Sequence, residues 1–131
     1  MAEKKAKTTS QSLANLAIEG IFDKKGESVV RIDLRKMKNA VADFFVICHG
    51  NSSAQVEAIA ESVEMTIKKN SGEKVWKKEG FENAEWILLD FVDVVVHIFQ
   101  AETRKYYRLE ELWADAEVKS IETPASGSKT K

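Results

Sequence analysis

The stretch EWILLDFVDVVVHIF, residues 85–99, is the most apolar part of the chain and decides the fold. It contains two strand-like runs, Glu85–Phe91 and Asp93–Phe99, which are split around Val92. Both runs are rich in β-branched and aromatic residues and have the length of single strands. Two such runs joined by a tight turn predict an antiparallel hairpin, and their apolar character places this hairpin at the centre of a sheet.

Upstream of the hairpin, helices and strands follow one another. Apolar residues at helical spacing predict a first helix over residues 11–24, and alternation predicts a strand over residues 28–34. The continuous apolar run Phe44–Cys48 predicts a strand that is covered on both faces. A second helix should begin after Ser52, because Ser52 and Gln55 fit an N-cap and its capping box.

The remaining elements complete an α-β-β-α-β-β-β-α order. A short strand over residues 74–78 should precede the hairpin, and helical turns over residues 101–107 and 109–114 should follow it. The predicted fold class is α/β, a mixed β-sheet flanked by helices on both faces or mainly on one. The helical connection favours some parallel pairing, whereas the hairpin must be antiparallel.

The composition is that of one globular domain. The chain has 131 residues, of which 44% are hydrophobic and 31% charged. We expect disordered polar tails at residues 1–10 and 117–131, and a folded domain over residues 11–116. The formal net charge of −1 argues against broad binding to a phosphate backbone, but it is compatible with a basic protein partner.

Cysteine content and hydropathy bear on the compartment. Cys48 is the only cysteine, which excludes an intrachain disulfide and a zinc site of several cysteines. Residues 1–10 are polar and lack the apolar core of a secretory signal. No apolar run approaches the ~20 residues that a membrane helix needs. We therefore expect a cytoplasmic protein.

Three side chains of the hairpin are candidates for chemistry. Asp90 and Asp93 flank the turn, where they would either converge on a metal ion or accept hydrogen bonds from turn amides, as turn aspartates commonly do. His97 lies in an apolar run without a nucleophile at any recognisable spacing. It fits a hydrogen-bonded, half-buried histidine better than a general base. We expect no metal, no cofactor and no catalytic residue.

The turn Gly50–Ser53 precedes a helix N-terminus, which can bind an anion through its free amides. Similar glycine-serine turns open the active site of nucleotidyltransferases, which also need two alternating acidic residues on the next strand. Residues 73–78 read EKVWKK and are basic at that place, so capping of the helix is the preferred account. Cys48 fits a core thiol rather than a reactive one.

The aromatic residues suggest a binding surface. Trp86 shares a strand face with Asp90, Phe91 lies at the hairpin tip where burial is hardest, and Tyr107 lies near the end of the domain. Rings at a rim with carboxylates around them suit a patch that binds a basic protein. The alternative is that the rings belong to the core, which is the better interpretation for Trp113.

Three stretches, in unbroken order, resemble the motifs of a known family. ADFFVICHGNS at residues 42–52 is similar to A-D-Y-F-V-I-x-T-G-x-S. The stretch from Glu79 to Phe99 is similar to E-G-x-x-x-A-x-W-x-L-L-D-F-G-D-V-V-V-H-x-F, and RKYYRLEELW at residues 104–113 is similar to R-x-F-Y-x-L-E-x-L-W. On these motifs, residues 11–114 resemble the ribosomal silencing factor family, also called Iojap-like.

The resemblance implies a nucleotidyltransferase-like α/β fold without the catalytic carboxylates. It implies a translational repressor that binds the large ribosomal subunit at ribosomal protein L fourteen and sterically blocks joining of the small subunit. It also implies a homodimer. The partner contact would be carried by three aromatic and three acidic residues, namely Trp86, Phe91, Tyr107, Glu79, Asp90 and Asp93.

The sequence departs from the family pattern at two positions. Val92 replaces a glycine, and because a β-branched residue disfavours positive φ, we expect a different turn geometry there. His49 replaces a threonine. Two other functions stay open, a nucleotidyltransferase-like enzyme or nucleotide-binding protein, and a dimeric scaffold whose aromatic rim pairs with itself.

Overall fold

The computed structural model describes residues 8–113 and 115–122. The helices are α1 (Ser10–Asp23), α2 (Ser53–Ser71), α3 (Ala101–Tyr107) and a 3-10 helix (Leu109–Trp113). The strands are β1 (Glu27–Asp33), β2 (Phe44–Gly50), β3 (Lys77–Glu79), β4 (Trp86–Asp90), β5 (Val94–Gln100) and β6 (Glu117–Ile121). No helix within these described residues is long and apolar enough to cross a membrane.

The strands form one mixed sheet in the order β3-β4-β5-β2-β1-β6. The central strands β2 and β5 are parallel, with Val46 opposite Val96, and both are almost entirely buried. The β4–β5 pair is antiparallel, with Leu89 opposite Val96. The structure thus confirms the predicted α/β class, the central hairpin and the mixture of parallel and antiparallel pairing.

Helices α1 and α2 cover one face of the sheet. Their apolar stripes, such as Ile21 on α1 and Ile59 on α2, are fully buried against the strands. The two helices lie in close contact at Gly20, where a Cβ atom would lie 2.9 Å from the Cα atom of Val63. At the same point the Ser62 hydroxyl donates a 2.8 Å hydrogen bond to the Gly20 carbonyl.

The other face of the sheet is covered only in part. A smaller core, which includes Phe45 and Phe99, lies there beneath α3 and the 3-10 helix, to which Leu109 belongs. Along β4, burial alternates: Ile87 and Leu89 face the long helices and are fully buried, whereas the intervening residues are only partly covered. One side of β4 is therefore accessible from outside the molecule.

The chain departs from the predicted boundaries at both ends of the sheet. The short strand is Lys77–Glu79 rather than residues 74–78. Residues 117–121, predicted as part of a disordered tail, instead form β6, which pairs antiparallel with β1. Of the predicted N-terminal tail, Ser10 already belongs to α1, whereas residues 1–7 lie outside the described residues, as do residues 123–131.

The turn between β4 and β5 also differs from expectation. Val92 adopts a φ of 77°, and the Asp93 amide donates a 3.0 Å hydrogen bond to the Phe91 carbonyl. A hydrogen bond from the amide of one residue to the carbonyl two residues earlier, around a central residue with positive φ, forms a γ-turn of the rare, strained kind. The prediction that valine would force another geometry was wrong, because the hydrogen bonds of the hairpin hold the backbone in place.

Candidate functional site

The accessible side of β4 forms a surface that we call the open face. It consists of Trp86, Leu88 and Asp90 of β4, all partly exposed, together with Glu79 of β3 and Tyr107 of α3. In the antiparallel register Glu79 lies opposite Leu88, so both point to the same side of the sheet. Four of the residues predicted from the sequence therefore lie on one side of the molecule, namely Trp86, Asp90, Glu79 and Tyr107.

The apolar part of the open face is a set of touching aromatic rings. Trp86 stacks on Phe99 with ring centroids 4.9 Å apart and contacts Tyr107 at 5.0 Å. Tyr107 is 52% exposed and meets the still more exposed Tyr106 edge-on at 5.0 Å. Here a half-buried indole, held in place by packing, lies beside an exposed phenol that a partner can contact. Aromatic residues arranged in this way are typical of protein-binding hot spots.

His97 lies directly beneath this aromatic set. It is 4% exposed, and its Nδ1 atom accepts a 3.1 Å hydrogen bond from the Trp86 indole N–H. The Phe45 ring lies 4.8 Å from the imidazole on another side. Burial lowers the pKa of His97 to about 4, so the ring is neutral near pH 7. The structure supports a hydrogen-bonded histidine, more deeply buried than the sequence suggested.

Phe91 does not belong to the open face. It is 7% exposed and lies in the core beneath α1 and α2, on the same side of the sheet as Ile87 and Leu89. Placing Phe91 in an exposed patch was therefore wrong. The alternation of β4 carries the signal that would have corrected it, because Phe91 lies two residues beyond Leu89 and four beyond Ile87.

The predicted carboxylates differ in their surroundings. Asp90 accepts a 2.8 Å hydrogen bond from the Val92 amide, as a turn aspartate should. Asp93 is exposed beside that turn, and Glu79 is exposed on the edge strand, 3.1 Å from the Lys77 ammonium. Within residues 8–113 and 115–122, no group of three or more His, Cys, Asp and Glu side chains is placed to hold a metal ion.

The hydrogen-bonding groups of the Gly50–Ser53 turn are used to cap the start of α2. The Ser52 hydroxyl accepts a 3.1 Å hydrogen bond from the Gln55 amide, and the Gln55 side chain accepts a 2.8 Å bond from the Asn51 amide. These contacts support the capping account of the turn. Cys48 is fully buried, and burial raises the pKa of its thiol to about 12, as in an inert core cysteine.

Arg104 is a residue that sequence reasoning missed. It is 8% exposed, and its Nε and Nη2 atoms donate to the Glu110 carboxylate at 3.0 and 2.7 Å. Its Nη1 atom donates to the Ser28 carbonyl at 2.7 Å and lies 3.0 Å from His49 Nδ1. Burial and the Arg104 charge lower the pKa of His49. This arginine ties α3, which carries Tyr107, to β1 and β2.

Trp76 is a second residue that the sequence interpretation left out. It is 68% exposed, and its amide donates a 2.8 Å hydrogen bond to the Asp90 carbonyl. Its position in the polar segment between α2 and β3 is a signal in itself, because a tryptophan there has few apolar neighbours in sequence. The backbone of Trp76 therefore lies beside Asp90, at one end of the open face.

Comparison with known proteins agrees with this architecture. The family model "Ribosomal silencing factor during starvation" matches residues 7–131. The ribosomal silencing factor of Halalkalibacterium halodurans is 43% identical over 87% of this chain and 96% of its own length. A crystal structure of a Chromobacterium violaceum protein superposes with a TM-score of 0.77 and 32% identity, covering 92% of this chain and 99% of that one.

A more distant relative extends the comparison to eukaryotes. The mouse protein named "Mitochondrial assembly of ribosomal large subunit protein 1" is 34% identical over 54% of this chain and 32% of its own length. These relatives are named as ribosomal factors and not as enzymes. By the family-model match and the identity over most of its length, the chain belongs to the ribosomal silencing factor family.

Proposed function

We propose that this chain represses translation by binding the large ribosomal subunit through its open face, at ribosomal protein L fourteen. The observation that carries the proposal is the exposure of Trp86 and Tyr107 on a sheet face that α1 and α2 do not cover. Family membership supports a role on the ribosome, and the name of the mouse relative refers to the large subunit. The proposed place of action is the cytoplasm.

The open face has the chemistry of a surface for a basic protein. Trp86 and Tyr107 would supply the desolvated anchor, since large rings bury much apolar area at little entropic cost. Glu79, Asp90 and Asp93 would lie at the rim. Rim carboxylates steer a positively charged partner and set its orientation more than they add affinity.

Obstruction of subunit joining requires no covalent chemistry. A domain of roughly 100 residues has a radius of gyration of ~13 Å. A bound copy is therefore much thicker than the gap between two surfaces in direct contact. If the occupied surface is one that the small subunit needs, the two cannot bind together. Repression is then a competition, and its strength follows the affinity of the domain for the large subunit.

The same face is the proposed site of homodimer formation. Exposed rings that are not covered by a partner subunit tend to self-associate, because burial of their apolar surface is favourable. If one face serves both contacts, self-association and ribosome binding exclude each other. The dimer would then be a storage form, and a lower concentration of the chain at a fixed ribosome concentration would favour the ribosome-bound form.

Co-sedimentation with purified large subunits tests the proposal. Removing an anchor ring should cost at least ~1.4 kcal/mol of binding free energy, which is about tenfold in affinity. We expect this loss for Tyr107→Ala, with only a small change in the free energy of unfolding because about half of Tyr107 is exposed. Addition of the wild-type chain to joined ribosomes should shift them toward free subunits.

The matched control is Met65→Ala, which removes an exposed apolar side chain, 69% accessible, from α2 on the other side of the sheet. This variant should bind like the wild type. Equal binding by a folded Tyr107→Ala variant would contradict the proposed face. Equal losses for Tyr107→Ala and Met65→Ala would point to a general effect of apolar surface.

A further inference from the structure

His97 combines deep burial with an unsatisfied polar atom. Its side chain lies among Phe45, Trp86 and Phe99, and its Nε2 atom is the buried side-chain nitrogen or oxygen that lacks a hydrogen-bond partner within the described part of the chain. A buried donor without an acceptor costs about 1–3 kcal/mol of stability. An apolar ring at this position would avoid that cost.

The protonation state of the ring follows from its one partner. The indole Nε1 atom of Trp86 can only donate, so His97 Nδ1 must be the unprotonated acceptor of their 3.1 Å hydrogen bond. The proton of the neutral imidazole is therefore on Nε2, the atom without a partner. The single polar contact that the histidine makes is thus the one that holds Trp86.

The orientation of Trp86 matters because it is only partly buried. Its ring stacks on Phe99 at 4.9 Å and contacts Tyr107 at 5.0 Å, so it links the floor of the open face to its exposed edge. Stacking alone does not decide which edge of the indole faces the interior, because a half-turn about χ2 keeps the ring in nearly the same plane. Without an acceptor beneath it, the N–H group would turn toward water, because an unsatisfied donor is costly.

We propose that His97 is a positioning residue for partner docking, because its Nδ1 atom fixes the Trp86 indole in the orientation that the partner meets. This inference rests on the proposed function, in which Trp86 belongs to the docking surface. His97 itself is covered and does not touch the partner. Its contribution to affinity is the ordering of a ring before binding, which lowers the entropic cost of association.

Two variants at this position separate positioning from packing. His97→Phe keeps a ring of similar size and removes both the acceptor and the unpartnered donor. His97→Asn keeps an acceptor near the position of Nδ1 but loses the volume of the ring. The quantities to measure are the free energy of unfolding, the indole N–H resonance of Trp86 and the affinity for large subunits. The chain has three tryptophans, so Trp86→Phe assigns the resonance.

We expect stability and binding to change in opposite directions. His97→Phe should be at least as stable as the wild type, should move the Trp86 indole resonance toward that of a water-exposed indole, and should bind about fivefold more weakly. His97→Asn should be less stable, because it leaves a cavity, but should keep the indole resonance and bind like the wild type at a temperature where it is folded.

Three results would overturn parts of this account and can be told apart. An unchanged indole resonance in His97→Phe would remove the positioning role. If the affinity for large subunits decreases only where the free energy of unfolding decreases, in both variants, His97 contributes through packing alone. A wild-type chain that does not bind large subunits would overturn the proposed function, and the indole resonance would then decide separately whether His97 orients Trp86.

Discussion

Val92 has a backbone conformation that glycine adopts without steric cost. With φ at 77° in a γ-turn, its β-branched side chain is strained, and such strain costs roughly 1–3 kcal/mol. We expect Val92→Gly to raise the free energy of unfolding by about 1 kcal/mol, part of the gain being lost to the greater entropy of the unfolded glycine. Urea unfolding measures this difference.

The control for this substitution is Val92→Ala, which removes the branch but keeps the Cβ atom. Alanine should recover less of the strain than glycine, since any Cβ atom disfavours positive φ. Val92 is 55% exposed, so loss of its side chain removes little buried surface. A glycine variant no more stable than wild type would show that the strain at Val92 is no larger than the entropic cost of glycine in the unfolded chain.

His97 should make stability depend on pH above the range where carboxylates titrate. Burial lowers the pKa of folded His97 to about 4, whereas an unfolded histidine has a pKa of about 6.5. Between these values the unfolded chain binds a proton that the folded chain does not, so stability falls as pH decreases. We expect a loss of about 2 kcal/mol between pH 7 and pH 5.

The measurement is the free energy of unfolding across this range for wild type and for His97→Phe. The variant should keep the dependence that comes from His49, whose pKa is also lowered by burial and by the Arg104 charge. Parallel curves for the two proteins would mean that the folded chain accommodates a charged His97.

At the residue scale the sequence predicts which side of the sheet a side chain lies on better than how exposed that side chain is. The alternation of β4 is sufficient to place Trp86 and Asp90 on one side and Leu89 on the other. It cannot show that Trp86 is partly accessible, because that depends on how far the short helix α3 extends over the strand. It also cannot find the Arg104–Glu110 pair, which depends on how the chain turns between α3 and the 3-10 helix, or the contact of Arg104 with the distant Ser28 carbonyl.

Among the elements, the contact between α1 and α2 depends on one missing side chain. A Cβ atom on Gly20 would lie 2.9 Å from Val63 Cα and 3.0 Å from the Ser62 carbonyl. Both are backbone atoms, so the helices would have to separate. Alanine normally stabilises a helix relative to glycine by about 1 kcal/mol, but we expect Gly20→Ala to destabilise the protein by about 1–3 kcal/mol.

Thermal or urea unfolding measures this effect. Glu19→Ala is the control, because Glu19 lies in the same helix turn and is exposed. This change should stay within about 0.5 kcal/mol of wild type. Stabilisation by Gly20→Ala would indicate that the helices can separate without loss of packing.

The elements that sequence predicts well differ physically from those it misses. β2 and β5 are apolar throughout because both of their faces are covered, and such runs are visible in the sequence. β6 has five residues, four of them exposed, and is defined by pairing with the edge of β1. An edge strand of this kind takes its structure from a distant neighbour rather than from its own pattern.

At the scale of the whole molecule, the two sides of the sheet have different roles. Two long helices bury one side, and only short helical turns cover part of the other. The net charge of −1 is too small to steer a partner by itself. Any electrostatic steering must come from the local arrangement of carboxylates around the open face, which a charge-matched comparison can isolate.

Glu79→Gln combined with Asp93→Asn removes two exposed rim carboxylates, while Asp90 is kept because it accepts a turn hydrogen bond. We expect association with large subunits to slow about threefold to tenfold at low salt, and the difference from wild type to shrink as salt increases. The control, Asp23→Asn combined with Glu61→Gln, changes the net charge equally on the helix side. Equal slowing in both double variants would mean that total charge, and not the open face, guides the encounter.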